Sequence, residues 1–194
     1  MTDRSQDPRS LRTVATLRAA LRTALSDRSL DEINVSELCR IAGVRRTTFY
    51  THYPSVSGLL TEMLTAEIDE LLDVPVGLDQ SVSEISAEFQ KTLVEAFGLV
   101  TRDRPLFRAG LESSVGAPLR RALLRMFADR LEIAIGVWRR LGVEVPTDVT
   151  VAIAFSAGGL CTSVEAWALS CDTDSVAWAD AVRDQMPPWW PRYA

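Results

Sequence analysis

Gly43 interrupts a run of twenty residues, Asn34 to Tyr53, that cannot form one continuous amphipathic helix, and this interruption constrains the fold more than any other stretch. Asn34 has the side chain of a helix N-cap, and Glu37 three positions later completes a reciprocal capping pattern. Leu38, Ile41 and Ala42 are expected to form the inward face of a helix over about 35–42, with Cys39 small enough for a close crossing. A residue without Cβ at position 43 suits the tight turn between two crossing helices, where φ is positive. Val44 is expected to anchor that turn. The next helix, about 45–51, points Phe49 inward, while Arg45, Arg46, Thr47, Thr48, Tyr50, Thr51 and His52 surround it with hydrogen-bonding groups. A helix so rich in polar side chains needs a polar partner, and the major groove of double-stranded DNA is one.

The charge distribution agrees. The whole chain carries −5, but residues 1–60 hold nine Arg against six acidic residues, whereas residues 61–194 hold twelve basic against twenty acidic. Only the N-terminal part has the sign that phosphate attracts. Ser36, at the start of the 35–42 helix, is placed to meet a phosphate through its hydroxyl and the exposed backbone N–H groups.

Outside this stretch the pattern is all-α, about nine helices with no convincing strand. A first helix from Pro8 or Arg9 to about Asp27 buries Val14, Leu17, Leu21, Ala24 and Leu25, and turns Arg12, Arg18 and Arg22 toward water or a DNA backbone. Leu30 and Ile33 pin the connection that follows. Pro54-Ser55 opens a fourth helix whose apolar stripe (Leu59, Leu60, Met63, Leu64, Ile68, Leu71, Leu72) outlasts the first domain and makes it a connector. The pattern breaks at Asp73–Gly77. Ser81 and Glu84 form a capping box for a fifth helix, Arg102–Pro105 interrupts it, and a short helix runs to about Glu112. A turn is expected at Gly116–Pro118, then a long helix over 119–141, ended by Gly142–Pro146. Two further helices cover about 147–170 and 174–186. The tail Pro-Pro-Trp-Trp-Pro cannot continue a helix, yet its tryptophans imply packing. The expected domains are 1–55 and 56–194.

The run Leu38-Cys39-x-x-Ala42-Gly43-Val44, followed by Thr48-Phe49-Tyr50-x-His52-Tyr53 and Leu59-Leu60, resembles the N-terminal domain of the tetracycline-repressor-type (TetR) transcriptional regulators. The motif covers roughly Val14 to Leu60. Two positions depart from it: Val56 stands where the family commonly has a phosphate-reaching lysine, and Thr47 where glycine or proline is common. The resemblance implies that Arg46, Thr47, Thr48, Tyr50, Thr51 and His52 face the groove or its phosphates, with Arg45 on phosphate or base. It also implies a palindromic operator bound by a homodimer, and a small-molecule effector held among the helices of the second domain.

The helix from Val149 fits that implication. Val149–Val164 is a run of sixteen uncharged residues containing Gly158-Gly159, with Ala154, Ala157 and Ala166 nearby. Small residues permit close backbone approach, so one side can serve its own domain and another a second copy. The expected dimer contacts are Phe155, Gly158, Gly159, Thr162, Ala166, Trp178 and Val182. The same run is too short and too polar for a membrane span. Phe89, Leu93, Phe97, Phe107, Met126, Phe127, Trp138, Phe155 and Trp167 are the candidate lining of an effector cavity. Aromatic residues at this spacing equally serve as plain core.

No cofactor or metal is expected. Cys39, Cys161 and Cys171 lack metal-type spacing, and the polar N-terminus lacks a signal peptide's apolar segment, which suits a reducing cytoplasm. No Ser-His-Asp or Cys-His arrangement exists, and the one histidine lies in the recognition segment, so an enzyme is not expected. The competing reading is a same-fold adaptor that has lost DNA recognition, for which Val56 is the best argument.

Overall fold

The computed structural model describes residues 7–74, 80–113 and 116–192, all helix, turn or loop. The α-helices are α1 (Pro8–Ala24), α2 (Val35–Ala42), α3 (Arg46–His52), α4 (Val56–Leu71), α5 (Val82–Arg102), α6 (Arg104–Glu112), α7 (Gly116–Arg140), α8 (Thr150–Leu169) and α9 (Ser175–Arg183). The expected break at 73–77 falls mostly outside the described residues.

Contacts divide the chain into two units. The first comprises the chain through Leu64 together with Pro105–Leu119, and the second comprises Thr65–Arg104 and Arg120 onward. The first half of α4 and nearly all of α6 therefore pack with the N-terminal helices. In this unit Leu17, Leu21, Leu38, Phe49, Leu59, Met63, Leu64 and Phe107 are fully buried. Each such side chain contributes roughly 1.5–3 kcal/mol on leaving water. Gly110 matters here for space, since a Cβ on it would come within 2.8 Å of Leu119 Cδ2.

Asp7 caps α1 by accepting from Arg9 N–H at 3.0 Å, and Pro8 occupies the first turn, where its missing N–H costs no helical bond. Leu30 and Ile33 are buried, so the link to α2 is pinned as expected. Asn34 Oδ1 accepts from Glu37 N–H at 3.0 Å. The reciprocal half of that cap does not form, because Glu37 pairs instead with Arg28 at 2.7 Å. Both side chains stay charged, the carboxyl of Glu37 held below its usual range mainly by the Arg28 hydrogen bond. A second departure is Ile41, which is 37% exposed while Leu38 and Cys39 are buried. At eight residues, α2 has room for only a narrow buried face, and Ile41 lies at its edge. Val44 is half-buried.

In the second unit α5 packs on α8 and α9. Ser81 caps α5 with the expected reciprocal box, its hydroxyl accepting from Glu84 N–H at 3.2 Å and its N–H donating to Glu84 Oε2 at 2.8 Å. Trp167 of α8 is fully buried and donates its indole N–H to Phe97 carbonyl O at 2.9 Å and to Thr101 Oγ1 at 3.0 Å. The Phe97 ring meets it edge-on at 5.9 Å. A second cluster joins Ile85, Val137 and Trp138 to Phe89 and Trp190, so the C-terminal tail does pack. The turn expected at Gly116–Pro118 is instead the first turn of α7, a position where proline is tolerated. At 20 residues α8 is long and apolar enough to cross a membrane by length and composition alone, exceeding the sixteen-residue run because it continues past Glu165. Glu165 is ion-paired with Arg120 of α7, and Trp167 is locked to α5, contacts of a helix packed in protein.

Candidate functional site

The site in the first unit is built on the turn at Gly43. Its φ of 65° is left-handed, Val44 N–H closes back on Cys39 carbonyl O at 3.0 Å, and Gly43 N–H on Arg40 carbonyl O at 3.4 Å. This two-bond closure ends α2 and sets where α3 begins. Phe49 is fully buried, with Tyr50 edge-on at 5.5 Å and Tyr53 at 6.0 Å, and this anchor fixes the rotation of α3 about its axis. Arg45, Arg46, Thr47, Tyr50 and Thr51 are consequently exposed, while Thr48 and His52 are half-buried. Thr51 Oγ1 bonds to Thr47 carbonyl O at 2.9 Å, which leaves its methyl and lone pairs, rather than its proton, for a partner.

Arg46 and Tyr50, four residues apart and so on one helical face, line a concave surface with Asn34, Val35 and Ser36 of the α2 start and Pro54, Ser55, Val56 and Ser57 of the α4 start. Two helix N-termini thus open onto the same hollow as a guanidinium and four hydroxyl-bearing side chains, with one carboxylate, Asp31, also in the lining. Unpaired N–H groups and the positive ends of helix dipoles favour an anion there. Of the expected DNA-facing residues, the hollow brings together Ser36, Arg46 and Tyr50, and Arg45, Thr47 and Thr51 lie exposed beyond it.

Ser55 and Ser57 were not singled out from sequence. Ser55 Oγ accepts from Gly58 N–H at 3.0 Å and lies 2.8 Å from Ser57 Oγ, so it is the cap of α4. The signal was Pro54-Ser55 itself, a helix-start pair. Val56 is buried and turned into the unit, so a longer cation at this position would have to leave the core.

Four arginines of this unit separate into two pairs. Arg18, expected to face DNA or water, makes a two-pronged pair with Glu62 at 2.8 and 3.0 Å. Burial works against its charge, but Glu62 outweighs that and holds its pKa above the usual value. Arg28 is paired with Glu37. No carboxylate pairs with Arg45 or Arg46 among the described residues, so the exposed cations of α3 remain available. Tyr53 donates to Glu62 at 3.2 Å, and burial, reinforced by the Glu62 charge, pushes its phenol up to about 12.

The second unit contains a cavity of about 100 Å³. It gathers Phe89, Leu93 and Phe127 from the expected lining, and adds Leu131, Leu160, Met186 and Trp190. The other expected lining residues lie elsewhere. Phe97 and Trp167 are spent on each other in the core, Trp138 packs against Phe89 from behind, and Met126 is buried outside the lining. Phe107 belongs to α6 and is buried in the first unit. Phe155 is 73% exposed on α8. Helical spacing identifies a buried face but not which part of that face has room left over.

Sequence reasoning missed the polar lining: Ser86, Gln90 and Thr92 of α5, Arg130 of α7, and Arg183 at the end of α9. Arg130 Nε meets Asp69 Oδ1 at 2.6 Å, its Nη2 the Asp69 carbonyl O at 2.9 Å, and its Nη1 Asp73 Oδ1 at 2.7 Å. The cavity wall therefore grips the last turn of α4.

One face of α8 carries Val151, Phe155, Gly159, Thr162, Ala166 and Leu169, exposed at successive helical spacings and uncharged. A shallow groove between α8 and α9 joins Phe155, Gly159 and Thr162 to Trp178 and Val182. Five of the seven expected dimer contacts thus share one groove, Ala166 extends its face, and Gly158 is half-buried beside it. Leu160 and Met186 line both this groove and the cavity, forming the wall between them.

No protein-family model matches the chain, and no curated protein sequence does. Solved structures do match its fold. The dihydroxyacetone kinase operon activator DhaS aligns with TM-score 0.65 at 14% identity, over 89% of this chain and 92% of its own. RolR, solved with resorcinol, aligns with TM-score 0.58 at 22% identity, over 94% and 90%. The TetR family repressor AlkX from Dietzia aligns with TM-score 0.53 at 18% identity, over 87% and 93%.

Proposed function

We propose that this chain, which has the fold of the TetR-type transcriptional regulators, is a ligand-responsive DNA-binding regulator, acting as a repressor. The observation that carries the reading is the surface of α3. Phe49 is buried, yet Arg45, Arg46, Thr47, Tyr50 and Thr51 are exposed, and both arginines are without a carboxylate partner among the described residues. Water solvates such a surface readily, so what supports the reading is its pattern: hydrogen-bonding groups and two unneutralised cations together on one helix, which suits phosphates and base edges. In this reading Arg46 pairs with a guanine edge, Thr47 and Thr51 meet base edges or a thymine methyl, and Tyr50, Ser36, Ser57 and the two helix starts hold phosphates. The α4 start with its serines takes the place of the lysine that Val56 replaces.

One such helix reads few base pairs, so a two-fold dimer binding a palindrome is required, and the uncharged α8 face is its seam. The effector cavity is the one lined by Phe89, Leu93 and Phe127. Occupying it strains Arg130 and hence the end of α4, a helix that continues without a break to the Ser57 phosphate contact. The effector then shifts the population toward a spacing of recognition helices that does not fit the operator.

The test is binding to the DNA flanking the protein's own gene, mapped by footprinting and repeated across salt concentrations. A protected palindrome is expected, with a log–log salt slope of about −0.9 per phosphate neutralised. Arg46→Ala should cost roughly 1–3 kcal/mol at one base pair per half-site and relax specificity there. A chain that binds no DNA at low salt would leave the adaptor reading in its place.

A further inference from the structure

The donor and acceptor accounts of the cavity restrict the chemistry of what it holds. Gln90 is more than nine-tenths buried and its Nε2 donates to Asp180 Oδ1 at 2.8 Å. A carboxylate only accepts, so the amide orientation is set, and Oε1 is left over together with the second Nε2 N–H. Ser86, buried to a similar degree, spends its proton on Pro191 carbonyl O at 2.8 Å, and Thr92 spends its own on Phe89 carbonyl O at 2.9 Å. Ser86 and Thr92 have therefore committed their single donors, Gln90 keeps one N–H, and all three keep acceptor lone pairs, so the polar lining from α5 is richer in acceptors than in donors.

The two cations in the wall are committed as well. Arg130 is held by Asp69 and Asp73, and Arg183 by Asp180 at 2.7 Å and Asp184 at 3.2 Å. Four carboxylates thus accompany two guanidiniums. An anion entering here would face oxygen acceptors and two guanidiniums whose charge four carboxylates already offset. A wholly apolar molecule would leave a buried acceptor without a donor, which costs about 1–3 kcal/mol.

We propose that the cavity selects a small, uncharged, largely apolar molecule bearing at least one hydroxyl or N–H donor, which donates to Gln90 Oε1. The rings of Phe89, Phe127 and Trp190 supply its apolar contacts, and the volume of about 100 Å³ limits it to roughly one ring. This rests on the reading of the cavity as the effector site.

Calorimetric titration of the full chain with phenol, toluene and benzoate tests the proposal, since the three share a ring and differ in donor and charge. Phenol should bind about tenfold more tightly than toluene, and benzoate should not bind where phenol saturates. Gln90→Met should erase the difference from both sides, weakening phenol and strengthening toluene, because it removes the acceptor that phenol satisfies and toluene leaves unpaired. Ser86→Ala, a smaller change, should narrow the same ratio if Gln90→Met does not fold. Equal affinity for phenol and toluene, preference for benzoate, binding of none of the three, or a phenol preference untouched by either variant would each overturn it. DNA binding by the same samples without probe separates the two readings: intact DNA binding with the wrong ligand order removes only the donor rule, and no DNA binding removes the regulator.

Discussion

Arg130 holds Asp69 twice, by its side chain at 2.6 Å and by its backbone carbonyl at 2.9 Å. Asp69 lies in the last turn of α4, where carbonyls lack helical partners and a cation is favoured. Both side chains are partly in water, so Arg130→Ala should cost only about 1 kcal/mol in a denaturant melt. Its local effect should be larger: hydrogen exchange of the amides over 65–71 should accelerate while the first turns of α4 keep their protection. Unchanged exchange there would show that α4 is held by its apolar stripe alone.

Tyr53 gives the protein an alkaline limit. The folded phenol keeps its proton to about 12, whereas the unfolded one loses it near 10.0. The folded state then binds more protons than the unfolded one between those values, so stability is full below 10 and falls as pH rises toward 12. The loss is on the order of 2 kcal/mol. Tyr53→Phe should flatten this part of the pH profile and remove a late-titrating component from the tyrosinate absorbance near 295 nm.

At Gly43 the constraint is backbone alone, because a Cβ there would meet nothing within 4 Å while φ is 65°. Gly43→Ala should therefore destabilise the first unit by roughly 1–2 kcal/mol, the cost of holding an L-residue in a left-handed conformation. Gly43→Asn should cost less. DNA affinity should follow the same order, since the turn sets the placement of α3.

Phe155 makes the seam of the proposed dimer testable without disturbing the core. It is 73% exposed, so Phe155→Arg should leave the fold intact by circular dichroism yet give a monomer by light scattering. Operator affinity should fall by far more than a factor of two, because the two half-sites would no longer be bound as one ligand. A variant that stays dimeric would move the interface off α8.

Local chemistry was legible wherever neighbours in sequence are also partners in space. The Asn34 and Ser81 caps, the left-handed Gly43 and the burial of Phe49 each follow from side chains a few residues apart, and the structure has them all. Glu37 and Arg18 mark the boundary. Their local patterns suggest a cap and an outward cation, but Arg28 and Glu62, nine and forty-four residues away, draw them into ion pairs.

By itself the sequence determined the helices, the turn at Gly43 and the polar character of α3, because periodicity, capping and backbone sterics act over one or two turns. Only the tertiary structure decided which aromatic residues enclose a space and which merely fill one. Phe89 and Phe127 border the cavity while Phe97 and Trp167 do not, though all four recur at core spacing. The tertiary structure alone also revealed that the hydroxyl protons of Ser86 and Thr92 and one N–H of Gln90 are spent on distant or main-chain partners. Space and leftover hydrogen-bonding capacity are set by what arrives from elsewhere in the chain, and no local pattern records that.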